Sequence, residues 1–164
     1  MDAWEQRLAD LWAAIDSLSP EAFRARMEAL AGERPPGDAI AAFELASAND
    51  STGRGDRAAP LYREALAAGL TGIRRRRAVI QLASTLRNLG QAEESVALLA
   101  AERDAGSDEL DDAVAAFLAL ALALADRGRE REALGLALGA LAAHLPRYNR
   151  SLANYARDLS QTPG

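Results

Sequence analysis

The stretch TGIRRRRAVIQLASTLRNLGQAEESVALLAAERDAG, residues 71–106, decides the fold of this chain. In its first half, one side of a helix collects the apolar residues Val79, Leu82, Leu86 and Leu89. A second helical run follows Gly90. Because glycine readily adopts the left-handed conformation that a sharp reversal needs, the stretch predicts two helices joined by a tight turn at Gly90.

Composition favours a single all-α domain over the whole chain, residues 1–164. Hydrophobic residues make up 49% of the sequence but aromatic residues only 5%, so the core is built mainly from Ala and Leu, which suits closely approaching helices. The net charge of −5 argues against a nucleic-acid partner, because phosphate binding needs a basic surface. The absence of cysteine excludes disulfides and thiolate zinc sites.

The turn at Gly90 recurs along the chain at regular intervals. Gly53 and Gly128 stand 37 residues before it and 38 residues after it, since 90 − 53 = 37 and 128 − 90 = 38. Five residues after each glycine come Ala58, Ser95 and Ala133, and twelve residues after each come Ala65, Glu102 and Ala140. Small residues at fixed positions let paired helices cross closely, and Glu102 departs from that pattern. A period of this length indicates stacked helix pairs.

The repeating pattern, with its best block LASTLRNLGQAEESVALL at 82–99, resembles tetratricopeptide repeats, in particular a small bacterial family of them with no assigned activity. The resemblance covers Asp38 to Leu145. It implies a right-handed α-α superhelix of about nine helices that acts as a non-catalytic protein-protein interaction module. A peptide or protein partner would bind in its concave groove.

The two ends of the chain frame this repeat region. The break ERPPGD, residues 33–38, separates residues 1–34, interpreted as a degenerate helix pair, from three pairs over 38–145. Ser17 is followed five and twelve residues later by Ala22 and Ala29, although two alanines in an Ala-rich chain can match by chance. Residues 146–160 predict a C-terminal capping helix, with an apolar stripe of Tyr148, Leu152, Tyr155 and Leu159.

The resemblance also implies which residues face a partner, because the first helix of each pair lines the concave surface of such repeats. The expected partner-binding residues are Glu44, Ser47, Arg77, Gln81, Ser84, Asn88 and Leu122. The alternative is that these are ordinary solvated positions and helix-packing contacts. The set lacks the Lys- and Asn-based clamp that binds chaperone tails in other members, so that ligand is not expected.

Four consecutive arginines, Arg74 to Arg77, stand at the start of the predicted helix, where they repel one another and face the positive end of the helix dipole. Arg74 and Arg77 are candidate contacts for an anion, such as an acidic peptide. The alternative is that neighbouring carboxylates, such as Glu44 or Glu64, or water offset the charges. Arg77 falls on the groove side and Arg75 over the core side, so the four cannot all serve one site.

Nothing in the sequence predicts an enzyme, a cofactor or a metal site. The single histidine, His144, has no recognisable nucleophile or orienting group and is interpreted as a partly buried helix-end residue. No phosphate loop, zinc spacing or calcium-binding loop is present.

The start of the chain lacks a basic apolar signal, and the longest apolar run, Ala113 to Ala125, has 13 residues against the roughly 20 needed to cross a membrane. We therefore expect a cytoplasmic protein without a membrane partner. The alternative function is structural, a homodimer assembled through the helix face that carries Trp4 and Trp12 or through the end cap.

Overall fold

The computed structural model describes residues 2–105 and 119–161, and every regular element in those ranges is helical. Residues 113–118 of the predicted apolar run lie outside them. In chain order the helices are α1 (Ala3–Ala13), α2 (Pro20–Ala31), α3 (Ala39–Ser51), α4 (Gly55–Ala67), α5 (Gly72–Asn88), α6 (Ala92–Ala105), α7 (119–125), α8 (Glu130–Ala142) and α9 (Asn149–Gln161). The predicted all-α class, with helices packed in adjacent pairs, is confirmed.

Short polar side chains fix where the first helices begin. Asp2 caps α1 by accepting the Trp4 amide, and Ser19 caps α2 by accepting the Ala22 amide just before a proline. Asp38 caps α3 by accepting the Ala41 amide at 2.9 Å. Each of these oxygens satisfies a backbone donor that has no partner inside its helix. The break predicted at residues 33–38 therefore ends at the N-cap of α3, Asp38.

The three predicted turns share one geometry. Gly53, Gly90 and Gly128 have φ angles of +79°, +81° and +71°, the left-handed region that side chains disfavour. The amide of the residue after each glycine donates back to a carbonyl five residues earlier: Arg54 to Asn49, Gln91 to Leu86 and Arg129 to Leu124, at 2.8, 2.8 and 3.0 Å. This is the bonding pattern that closes a helix with a glycine. The repeat seen in the sequence is thus a repeat of turn structure.

The positions predicted to hold small residues at helix crossings are buried. Relative exposure is 0% at Ala58 and Ser95 and 6% at Ala133, and all three positions twelve residues after the glycines are buried, including Glu102 at 3%. Because a methyl group or hydroxymethyl group occupies little volume, the helices of a pair approach closely at these points.

The chain divides into two compact units, residues 1–78 and 79–164, with the boundary inside α5. The prediction of a single domain stays a prediction. In unit 1, α1 and α2 pack on α3 around a core that contains Trp4, Leu8, Phe23, Met27 and Ala48. The interpretation of residues 1–34 as a degenerate helix pair stays a prediction. Ala29 is exposed, whereas Phe23 and Leu30 are buried, because the bulky side chains rather than the alanines supply the contact with α3.

In unit 2, a core of small and leucine side chains joins α5, α6, α7 and α8 and includes Ala83, Leu99, Leu120 and Leu124. Leu89, expected in this core, is instead 44% exposed, because the helix ends there at the glycine turn. Helix α9 packs closely on α8. A Cβ added at Gly135 would lie 2.7 Å from the carbonyl oxygen of Ala156, so only glycine permits the observed approach.

Candidate partner-binding surface

Four of the predicted partner-binding residues share one face of α5. Arg77 and Asn88 are exposed, and Gln81 and Ser84 are half-buried. Their spacing of four, three and four residues follows the helical period, and the opposite side of the helix carries buried residues such as Leu82. The face is therefore polar and accessible along about three helical turns.

Within unit 2, α7 lies beside the second half of α5. Ala83 shares a core cluster with Leu120 and Leu124, and Arg87 forms an ion pair with Asp126, with Nε and Oδ2 2.6 Å apart. Leu122 stands 38 residues, one period, after Ser84 and is 54% exposed. The structure thus places an exposed leucine on the helix that neighbours the polar face of α5.

Glu44 is not open to a partner, which corrects its expected place on the concave surface. It is 4% exposed. Its carboxylate accepts the indole N–H of Trp12 at 2.9 Å and the Nε of Arg74 at 3.2 Å. Burial raises the pKa of Glu44, and the bonds from Trp12 and Arg74 oppose that shift. This carboxylate therefore ties α1, α3 and α5 together inside unit 1.

Ser47 is also buried, at 4% exposure, so the expectation that it faces a partner on the concave surface is wrong as well. Its hydroxyl lies 3.5 Å from the hydroxyl of Tyr62, a fully buried residue of α4 whose pKa is raised by desolvation. The second helix of the pair covers this position. Burial could not be read from the sequence, because serine is common on both solvated and packed faces of helices.

The four arginines point in different directions. Arg74 donates to Glu5 at 2.6 Å as well as to Glu44, so neighbouring carboxylates offset its charge, as the alternative interpretation proposed. Arg76 is buried, and both Arg75 and Arg76 have partners within the chain. Arg77 is exposed and forms no ion pair with any described residue. Of the two predicted anion contacts, Arg77 is thus the one that solvent reaches freely.

The tryptophan-bearing face of α1 is used inside unit 1. Trp4 is 5% exposed, donates its indole N–H to the Leu30 carbonyl at 2.9 Å and has the Arg34 guanidinium 4.9 Å from its ring. Trp12 packs edge-on against Phe23, with ring centroids 5.1 Å apart. Both indole donors are satisfied internally, so these rings hold the N-terminal pair on α3.

Several large apolar residues near the C-terminal end of the described chain are exposed. Tyr148 and Tyr155, expected to face inward on the end cap, are 79% and 65% exposed. Leu134 and Leu141 on α8 are each about half exposed, at 51% and 50%. His144, expected to be partly buried, is exposed at the end of that helix. An apolar stripe in a sequence marks one face of a helix but not whether another element covers it.

Two clefts lie away from the polar face of α5. One, of about 430 Å³, is bordered by the Pro35–Pro36 turn, Arg34 and Leu61 in unit 1. The other, of about 600 Å³, lies at the Gly90 turn in unit 2 beside Glu93 and Asp126. The described residues contain no group of three or more side chains that could hold a metal ion, and none of the described helices has the length and apolarity of a membrane span.

Comparison with known proteins agrees with this arrangement. The model of one family, described as Tetratrico peptide repeat, matches residues 39–159. That match begins at the first residue of α3 and ends within α9. Searches of curated proteins and of solved structures gave no match.

Proposed function

Because the chain belongs to the tetratricopeptide-repeat family, we propose that it is a non-catalytic, cytoplasmic interaction module that binds a peptide or protein segment on the surface formed by α5 and α7. The observation that carries this proposal is the exposure of Leu122, at 54%, on the helix that packs beside the second half of α5. An exposed leucine with hydrogen-bonding neighbours can bury an apolar side chain of a partner.

The residues on α5 suit the backbone and charge of such a segment. The side-chain amides of Gln81 and Asn88 each offer donors and an acceptor, so they can bond the N–H and C=O groups of an extended chain. Arg77 lies four residues before Gln81 on the same face and is exposed. Its guanidinium can pair with a carboxylate, which favours a partner that carries an acidic residue.

The test compares partner recovery by two variants with that by the unchanged protein. A photoreactive residue at Ser84 would first capture the bound partner in cells. The variant Leu122→Asp removes the apolar anchor, and the triple variant Arg77→Ala, Gln81→Ala, Asn88→Ala removes the polar one. We expect each to weaken binding of the captured partner at least ~5-fold, since anchor residues at interfaces contribute more than ~1 kcal/mol each.

Arg26→Ala on α2 provides the control, because Arg26 is exposed and belongs to unit 1, whereas Gln81, Asn88 and Leu122 belong to unit 2. It should bind the partner as the unchanged protein does. Unchanged affinity in both surface variants, with helical content preserved, would show that α5 and α7 do not form the binding surface.

Self-association is the second candidate function. The internal bonds of Trp4 and Trp12 disfavour the tryptophan-bearing face as the contact. The exposed tyrosines Tyr148 and Tyr155 favour self-association through the end cap instead.

A further inference from the structure

Unit 2 leaves apolar side chains uncovered along one side of the hairpin formed by α8 and α9. Leu134 and Leu141 on α8, Tyr148 just before α9 and Tyr155 in the middle of α9 are each at least half exposed. Between them lie the half-buried residues Leu138 and Leu152. We call these six residues the C-terminal apolar face.

The packing of the two helices makes this face continuous. Gly135 and Gly139 of α8 meet Ala156 and Ser160 of α9, which fixes the line along which the helices touch. At 100° per residue, Leu134 and Leu141 fall to one side of that line on α8. Tyr155 falls to the same rotational side on α9, and Tyr148 is the residue just before that helix. A six-residue connection, 143–148, makes the helices antiparallel neighbours, and equal rotations on antiparallel helices lead to the same side of the pair.

The repeat register indicates that another helix belongs on this face. Tyr155 lies 76 residues, two periods of 38, after Val79, which is 5% exposed. Val79 precedes its turn glycine by 11 residues, as Ala42 precedes Gly53, and Ala42 is 6% exposed. The same register position is therefore buried in two earlier repeats. At α9 the same position, Tyr155, is 65% exposed.

The backbone adds an independent observation. Tyr148 has a φ angle of +64°, and it is the only described residue other than glycine with a positive φ. This conformation is unfavourable for a bulky side chain, so a compensating role is expected for the residue held in it. Its ring is the most exposed of the large apolar side chains described, at 79%.

We propose that a second copy of this chain covers the C-terminal apolar face, giving a two-fold symmetric dimer in which two α8–α9 hairpins pack face to face. The six residues carry no charge, so the face neither repels its own copy nor selects a partner of either sign. They expose roughly 600 Å² per copy on ordinary side-chain areas. Two copies together bury roughly 1,200 Å², the lower bound for a stable specific interface, and tyrosine is enriched at the centres of such interfaces.

This proposal is independent of partner binding on α5 and α7, and either one can fail alone. Sedimentation of the purified chain from micromolar concentration to about 1 mM tests it directly. The mass should rise from the 17.4 kDa of one chain to twice that value and stop there. A single chain at every concentration, or growth beyond two copies, overturns it.

Adjacent residues of α9 supply a matched pair of variants. Tyr155→Glu places a charge on the face and should raise the dimer dissociation constant at least ~30-fold, because the change enters the interface twice. Asn154→Glu introduces the same charge about 100° away around the helix, next to its partner Arg157, and should leave dimerisation unchanged. Equal effects of the two substitutions would contradict the proposal.

Tyr148→Gly separates a role in the interface from a role in the fold. Glycine relieves the unfavourable φ angle, so the isolated chain should be at least as stable as before, while dimerisation weakens. The chain lacks cysteine, so Asn154→Cys can carry one spin label per copy. A single narrow distance between copies supports the symmetric dimer, and the absence of any such distance at high concentration refutes it.

Discussion

The contact between α8 and α9 depends on one missing methyl group, at Gly135. An added Cβ would lie 2.2 Å from the Ser160 hydroxyl oxygen and 2.7 Å from the Ala156 carbonyl oxygen. The serine can rotate away, but the carbonyl belongs to the backbone of α9. Since ordinary contact begins at 3.4 Å, Gly135→Ala forces α9 to move by about 0.7 Å (3.4 − 2.7).

Gly139, one turn further along the same helix, is the matched control. A Cβ there would meet the Cβ of Ala156 at 3.8 Å, an ordinary contact. Overpacking at position 135 costs about 1–3 kcal/mol, against about 1 kcal/mol gained by replacing a helical glycine, so we expect a net loss of up to about 2 kcal/mol of unfolding free energy. Gly139→Ala should instead gain about 0.5–1 kcal/mol.

Urea denaturation followed by circular dichroism measures both variants, at one low protein concentration because self-association would add to stability. Both tryptophans lie in unit 1, so their fluorescence gives a separate record of that unit. Hydrogen exchange should show faster exchange of the α9 amides in Gly135→Ala only. Equal stability of the two variants would refute the reasoning, as would full rescue of Gly135→Ala by Ser160→Ala, because the carbonyl clash would remain.

Two further predictions concern buried polar groups. The Ser95 hydroxyl is buried without a hydrogen-bond partner among the described residues, so Ser95→Ala should leave stability unchanged or raise it by about 1 kcal/mol in urea denaturation; a loss above ~1 kcal/mol would contradict this. Because burial raises the pKa of Glu44 above the unfolded value of 4.5, its contribution to stability is greatest below that value and is lost as pH rises through the folded pKa. Glu44→Gln should remove this pH dependence, and Arg74→Met should steepen it and cost about 2 kcal/mol at neutral pH; melting curves that change with pH identically in all three proteins would contradict the assignment.

At the candidate surface, sequence periodicity predicted which residues share a helical face but not which of them are buried. The spacing of Arg77, Gln81, Ser84 and Asn88 predicted one helical face, and α5 presents the four residues there with exposed or half-buried side chains. The same logic failed for Glu44 and Ser47. Their positions match the pattern, but contacts with Trp12, Arg74 and Tyr62 bury them, and those partners lie between 15 and 32 residues away in the chain.

The arginines Arg74 to Arg77 have different environments, and the reason is again contact between distant parts of the chain. Four consecutive cations on a helix point in four directions, which follows from 100° per residue and needs no structure. Which of them meets a carboxylate depends on where Glu5 and Glu44 lie, and Glu5 is 69 residues from Arg74 in the sequence. At the end cap the sequence predicted burial where the structure shows exposure. The stripe of Tyr148 and Tyr155 marked an apolar face, but a stripe does not show whether another element packs on that face.

The helices, their glycine turns and their 37- to 38-residue period could be predicted from the sequence, because capping, turn geometry and helical spacing act over a few residues. Which apolar and charged side chains are covered could be seen only in the folded chain. Burial depends on neighbours brought together from distant parts of the chain, as at Glu44 and Gly135. The exposure of residues on α7, α8 and α9 therefore became known only from the structure. Binding should be tested at these residues.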